Sequence, residues 1–266
     1  SSRVAWPRSE KTRERRWSEG SLSTTDVSRS FEGVHALQGV SLSIERHEVV
    51  GLIGPNGAGK TTLINLITGF DLPTSGRIGL GEEDVTTWQA RRRAHAGLAR
   101  TFQHGHLFRA LSVAENIELG ALGIGMSRGQ AKAVCSELLD ALELTERAAI
   151  PAGALPHGDE QKVSVARALA SRPRYVLLDE PAAGLAESDI VSFANLVRRV
   201  RDEYGAGVLL VDHNMALIMD VCDRIHVLDQ GRTLASGTPA EIRRNIDVTA
   251  AYLGSSGIKE EAAPDA

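Results

Sequence analysis

The chain has 266 residues, enough for one large domain or two small ones, and its 42% hydrophobic and 24% charged content is that of an ordinary globular protein. A formal net charge of -4 supplies no global positive field for nucleic acid, so no nucleic-acid partner is expected. No stretch reaches the ~18 uninterrupted apolar residues of a membrane span. The N-terminus lacks the apolar segment of a signal peptide, which predicts a cytoplasmic protein. Two cysteines, Cys135 and Cys222, form no CxxC pair and are expected as buried free thiols. His104 and His106 are close together but have no further ligand-type neighbours, so no histidine metal site is expected.

Residues 1–20 are polar and basic, with Arg3, Arg8, Lys11, Arg13, Arg15 and Arg16 set against Glu10, Glu14 and Glu19. This is the composition of a flexible, solvated tail, with contact to anionic lipid as the second reading. From Leu22 the pattern changes, and 34–44 ends in the apolar/polar alternation of a half-buried strand. Phe31, about one hairpin upstream of the glycine-rich stretch at 54–59, suits either a core position or a stack on a nucleotide base. After the polar turn 45–48, Val49-Val50-Gly51-Leu52-Ile53 is a short apolar run suited to a buried parallel strand.

Next comes Gly54-Pro55-Asn56-Gly57-Ala58-Gly59-Lys60-Thr61-Thr62, followed by 63–68, apolar at helical spacing. Strand, glycine-rich turn and helix are the context that makes G-x-x-x-x-G-K-T a phosphate-binding loop. Without side chains, the glycines let backbone N–H groups converge on an anion, and the helix that starts at Lys60 adds its positive end. Lys60 can reach the outer phosphates of a nucleotide, and the Thr61 hydroxyl can hold Mg2+.

Beyond this loop, 71–76 is a turn cluster, 77–80 a short strand and 81–84 an acidic turn. A basic helix is expected over 88–96, its Arg91, Arg92 and Arg93 on a solvated face, and then a strand over 98–103 ending at Gln103. Residues 104–154 have a different character: a helix beginning at Ser112, a glycine-rich loop over 120–129, and an amphipathic helix over 131–142. This is a helical insertion between two halves of a parallel-sheet core. Leu155-Pro156-His157-Gly158-Asp159 precedes a helix over 160–170, with Asp159 near its N-cap.

Tyr175-Val176-Leu177-Leu178 then leads into Asp179 and Glu180, a buried strand with two acids at its C-terminal end, the edge where ligands bind in open α/β sheets. Asp179 can orient Mg2+, and Glu180 can polarise an attacking water. A helix over 190–204 and a buried strand over 207–211 come after it. His213, just past that strand end, suits either a structural role or the sensing of a terminal phosphate. Residues 225–235 form a hairpin turned at Gln230-Gly231, and Thr238-Pro239 opens a helix. The polar, Ala-rich stretch from Gly254 is a tail.

In this order the parts resemble an ATP-binding cassette (ABC) ATPase over roughly residues 22–253. Gly54 to Thr61 resembles its Walker A loop, Gln103 its Q-loop glutamine, Leu155 to Asp159 its signature, Val176 to Asp179 with Glu180 its Walker B strand and catalytic acid, 184–187 its D-loop, and His213 its switch histidine. Phe31 stands at its aromatic A-loop position. The resemblance implies an α/β P-loop NTPase (RecA-like) parallel-sheet core, with an N-terminal antiparallel β region and an α-helical subdomain inserted at about 104–154, all within one domain over 21–254. It also implies ATP and Mg2+ as cofactors, Gln103 as a further Mg2+ ligand, and Pro156, Gly158 and Asp159 as contacts to a nucleotide bound by a partner.

Within the family, the stretches 99–103, 107–109, 180–185, 212–215, 237–239 and 251–254 resemble the ATPases of branched-chain (hydrophobic) amino acid importers. Urea and amide importers and lipopolysaccharide-export ATPases are similar, and a non-transport ABC ATPase is the alternative class. Implied partners are a second ABC ATPase subunit, in a homo- or heterodimer, membrane permease subunits and, indirectly, a periplasmic or extracellular solute-binding protein. The implied location is the cytoplasmic face of the cell membrane. One departure stands out. The usual Leu-Ser-Gly-Gly-Gln signature is here Leu155-Pro156-His157-Gly158-Asp159, with Asp159 and Glu160 where glutamines are usual, and two acids beside a phosphate would repel it.

Overall fold

The computed structural model describes residues 20–101 and 107–255. Residues 1–19 and 256–266, the larger part of the two expected tails, and the segment holding Gln103, His104 and His106 lie outside the described residues. In chain order the elements are β1 (Leu22–Phe31), β2 (Val34–Ile44), β3 (Val49–Ile53), α1 (Lys60–Thr68), β4 (Ser75–Leu80), β5 (Glu83–Asp84), α2 (Ala90–His95) and β6 (Leu98–Arg100). Then come α3 (Val113–Gly123), α4 (Arg128–Ala141), α5 (His157–Ala170), β7 (Tyr175–Asp179), α6 (Glu187–Asp202), β8 (Gly207–Val211), α7 (Met215–Val221), β9 (Arg224–Asp229), β10 (Arg232–Gly237), α8 (Pro239–Arg243) and α9 (Ile246–Ser255).

Among the described residues the strands form two sheets. An antiparallel sheet has the order β2-β1-β4-β5, and the larger sheet has the order β10-β9-β3-β8-β7-β6, parallel except for the β9/β10 hairpin. The larger sheet is covered on both faces, which is why its central strands are continuous apolar runs rather than alternating ones. On β3, Val50 and Leu52 face a core shared with Leu63, Ile64 and Ile67 of α1 and with Val40 and Ile78 of the antiparallel sheet. Val49 and Ile53 face the opposite core, with Phe193 and Val197 of α6 and Ile218 of α7. The same alternation splits Leu177 and Leu209 from Leu178 and Leu210 on the neighbouring strands. Helices α3 and α4 join the second core through Ile117 and Leu138. This is the expected arrangement of parallel core, antiparallel β region and inserted helices.

Four local expectations need correction. The glycine-rich stretch 120–129 is mostly helix: α3 runs through Gly123, α4 begins at Arg128, and only 124–127 separates them. Gly120 does not break α3 but lets it close on α5, for a Cβ there would stand 2.0 Å from the Arg167 carbonyl oxygen. Both helices open on capping boxes, Ser112 with Glu115 and Ser127 with Gln130, so the expected start at Ser112 is observed. The helix after the signature starts earlier than expected, at His157, with Pro156 at the N-cap and no side-chain cap. The last helix, α9, includes Gly254 and Ser255, which the sequence pattern places in the tail.

The fourth correction concerns the basic helix. Arg92 stacks on Trp88 at 3.6 Å, but Arg93 is fully buried. Its guanidinium donates to the Leu66, Ile67, Thr86 and Trp88 carbonyls at 2.5, 2.7, 2.9 and 2.9 Å. Two of these are carbonyls from the last turn of α1, where a helix runs out of its own N–H donors. Burial lowers the Arg93 pKa to about 10, so the side chain stays charged at neutral pH. Arg93 thus ties the far end of the phosphate-loop helix to the β5–α2 connection. Arg93→Met keeps much of the volume and removes the donor that the Ile67, Thr86 and Trp88 carbonyls share, while Leu66 keeps the Gly69 N–H at 3.2 Å; it should lower unfolding free energy by about 3 kcal/mol in a denaturant titration. An unchanged midpoint would show that the carbonyls find other donors.

Both cysteines are buried and free. Burial pushes the Cys135 thiol up to about 11 and the Cys222 thiol further, which makes them poor nucleophiles. Among the described residues, no helix is long and apolar enough to cross a membrane.

Candidate active site

The loop between β3 and α1 is shaped by close approaches that only glycine permits. A Cβ on Gly54 would stand 2.2 Å from the Leu228 carbonyl oxygen, and one on Gly59, where φ is 103°, would stand 2.7 Å from the Ala36 carbonyl oxygen. Gly231, at the turn of the β9/β10 hairpin, donates its N–H to the Ala58 carbonyl at 3.1 Å and accepts from Gln38 N–H at 2.7 Å. The loop is therefore stitched to both sheets. Lys60 opens α1 with its ammonium buried, donating to the Gly54 and Pro55 carbonyls at 2.7 and 3.0 Å. Burial pushes the Lys60 ammonium below its ordinary range, while the negative charges of Glu180 and Asp179 pull it back up. The loop lysine and the two acids thus lie within electrostatic reach of one another.

Sheet register explains that proximity. Leu52 of β3 and Asp179 of β7 both pair with Val211 of the strand between them, so the three sit in one row across the C-terminal edge. At ordinary strand spacing, the acids lie roughly 10 Å across the sheet from the phosphate-loop strand. Asp179 is buried; its Oδ2 accepts from Arg100 Nη2 at 2.8 Å, and its N–H points to Thr101 Oγ1 at 3.4 Å. The other terminal nitrogen of Arg100 donates to Asn65 Oδ1 on α1 at 2.7 Å.

Glu180 adopts a left-handed backbone, with φ 47°, uncommon for a residue with a side chain. Its N–H donates to the Val211 carbonyl at 2.7 Å, which holds the turn, and its Oε1 accepts from His213 Nε2 at 3.1 Å. A carboxylate oxygen accepts, so a hydrogen bond across this contact uses the imidazole tautomer with its proton on Nε2. Buried Asp212 completes this edge: its two oxygens accept from Ala182 N–H and Asn214 N–H, both at 2.8 Å, so the segment after Glu180 and the segment carrying His213 share one anchor. Phe31 ends β1 at 43% exposure with the Arg29 guanidinium 4.4 Å from its ring centre, so it is a surface aromatic rather than a core residue.

A family model described as ABC transporter matches residues 37–183, more than half of the chain, and one described as branched-chain amino acid ATP-binding cassette transporter matches residues 232–257. The chain belongs to the ABC transporter ATP-binding family. It is 40% identical over 248 residues to the high-affinity branched-chain amino acid transport ATP-binding protein LivG of Salmonella typhimurium, covering 88% of this chain and 97% of that protein. The structure is similar to the ADP conformation of an ATP-binding cassette of an ABC transporter, with a TM-score of 0.81, 28% identity, and 89% of this chain and 100% of the other covered. It is also similar to a dimeric cassette in a post-hydrolysis state bound to ADP and phosphate, with a TM-score of 0.71, 27% identity, and 82% and 98% coverage.

In this ABC cassette the signature segment lies at the start of α5. His157 and Gly158 are its first helical residues, whose N–H groups precede any that can bond back into the helix. Asp159 is in the first turn rather than at the N-cap, and both unusual acids have cationic neighbours. Asp159 meets Arg147 at 3.1 Å and Lys162 at 3.9 Å; Glu160 meets Arg109 at 3.5 Å and His157 at 3.2 Å. His157 Nε2 also lies 2.9 Å from the Ala183 carbonyl, joining the signature helix to the D-loop segment, and that hydrogen bond holds the His157 pKa above its ordinary value against the effect of burial. The acids that look repulsive in sequence are thus partly neutralised from within the chain.

A cavity of about 610 Å³ opens on the other side of β6, between the core and the inserted helices, lined by Phe70, Arg91, Arg100, Phe108, Leu119 and Arg167 among others. Sequence pattern alone misses Arg93, Arg100 and Asp212 as determinants of the site. Arg100 and Asp212 both stand at strand ends on the ligand edge, the one signal that points to them.

Proposed function

We propose that this chain is the ATP-binding and ATP-hydrolysing subunit of a transporter that imports branched-chain or other hydrophobic amino acids through separate permease subunits. The observation that carries the solute class is the match of the C-terminal segment 232–257 to the branched-chain cassette model, together with the LivG identity across nearly the whole chain. Phosphates of ATP would lie on the amides of 54–62, with Phe31 under the base. Lys60, already within reach of the loop carbonyls, would turn to the outer phosphates. Glu180 would orient the attacking water and take its proton, and His213, held by Glu180, would steady the terminal phosphate.

The donor chemistry fits Mg2+. The Thr61 hydroxyl and the Asp179 carboxylate are hard oxygens, and Mg2+ favours a few such oxygens completed by phosphate and water. Thr61 and Asp179 would hold it, with Gln103, outside the described residues, as the further ligand that the resemblance implies. When bound, Mg2+ supplies neutralisation of charge on the phosphate oxygens.

The signature of this chain, Pro156, Gly158 and Asp159, would face the nucleotide of a second cassette, so the working unit is a dimer. The cavity beside β6 would receive the permeases, and the chain would then lie peripherally at the cytoplasmic face of the membrane. The test is reconstitution with the permeases from the same membrane and measurement of phosphate release with and without the second ATPase subunit. Release stimulated by a leucine- or isoleucine-loaded binding protein is expected; turnover indifferent to these amino acids but stimulated by another solute would reassign the cargo.

A further inference from the structure

We infer that Arg100 is a positioning residue of this site, holding the Asp179 carboxylate where a phosphate-bound Mg2+ can use it. The inference rests on the ATPase reading and goes beyond it, for nothing in that reading requires an arginine here. The Arg100 guanidinium is a fork between two elements. One terminal nitrogen donates to Asp179 Oδ2 at 2.8 Å and the other to Asn65 Oδ1 at 2.7 Å, while the Phe70 ring lies 5.8 Å away. The paired side chains are 9% and 10% exposed, so water competes little for either. Asn65 is itself fixed, its carbonyl accepting from Phe70 and Asp71 N–H at 3.0 and 3.2 Å. Arg100 therefore locks Asp179 to the helix that begins at Lys60.

The lock matters because Asp179 has a competing cation nearby. Its charge already acts on the Lys60 ammonium. An Asp179 carboxylate released from Arg100 loses the hydrogen bond at 2.8 Å that fixes its Oδ2, and is then free to rotate away from the place where the metal would use it. A planar guanidinium suits the task, since it serves two acceptors in fixed directions at once, which an ammonium does less well. Partners that orient a metal-binding carboxylate ordinarily contribute about 10–100-fold in metal affinity.

The test is binding of a fluorescent ADP to the full chain, in EDTA and across a Mg2+ titration, for wild type, Arg100→Gln and Arg100→Lys. Arg100→Gln should bind nucleotide as wild type does in EDTA but need about 10–100-fold more Mg2+ to reach half of the metal-dependent gain. Arg100→Lys should fall between the two. If Arg100→Gln does not fold, Asn65→Ala, which removes the anchor and keeps the charge, should shift the Mg2+ midpoint in the same direction. An unshifted midpoint in a folded Arg100→Gln, or in Asn65→Ala where that variant decides, overturns the inference. Wild-type chain that shows no Mg2+-dependent gain would instead sink the ATPase reading on which it rests.

Discussion

Replacing Glu180 with glutamine is expected to leave ATP binding intact and to slow hydrolysis about 100–10,000-fold, the range of a positioned general base. The geometry makes this a clean substitution. Glutamine matches the volume, tolerates the left-handed backbone no worse than glutamate, and keeps an oxygen that can accept from His213 Nε2 at the observed 3.1 Å. The turn is held by the residue 180 N–H to the Val211 carbonyl, which the substitution does not touch, and by Asp212 through Ala182 N–H. What is lost is the carboxylate's ability to take a proton. Single-turnover phosphate release alongside equilibrium ATP binding checks it, and unchanged turnover would remove Glu180 from the role.

Lys60→Ala should lower nucleotide affinity about ten- to a hundredfold, the worth of a charge-assisted hydrogen bond to phosphate. The fold should survive. The lysine's hydrogen bonds go to two carbonyls of its own loop, and burial already works against its charge. Loss of the ammonium also leaves Asp179 and Glu180 facing the phosphates with one cation fewer, which adds repulsion in the same direction. Calorimetric titration with ADP and ATP reads the effect. The loss should be larger for ATP, whose outer phosphate lies closer to the acids; equal binding by wild type and variant would contradict the loop assignment.

The parts of this site that are legible in the sequence are those set by backbone geometry. Gly54 and Gly59 must be glycine because carbonyl oxygens of Leu228 and Ala36 stand where a Cβ would be, and such a constraint leaves a fixed spacing behind. The acids Asp179 and Glu180 are legible because a buried strand ends in them. Long side chains are not. Arg93 sits in a basic run that looks solvated and Arg100 in a short mixed strand, yet their guanidinium groups reach residues 26–79 positions away along the chain. Local pattern carries no record of such a partner. Gly120 misleads for a related reason: glycine can mark a break in a helix or a place where two helices touch, and only the packed structure distinguishes them. The acidic signature is a similar case, since Arg109 and Arg147, which offset Glu160 and Asp159, come from outside α5.

The most direct test is a crystal structure of the Glu180→Gln chain with ATP and Mg2+. The account predicts the triphosphate on the amides of residues 54–62, the metal between Thr61 and Asp179, and residue 180 opposite the terminal phosphate. A nucleotide bound away from that loop, or phosphates turned from the edge that carries Asp179, would contradict it.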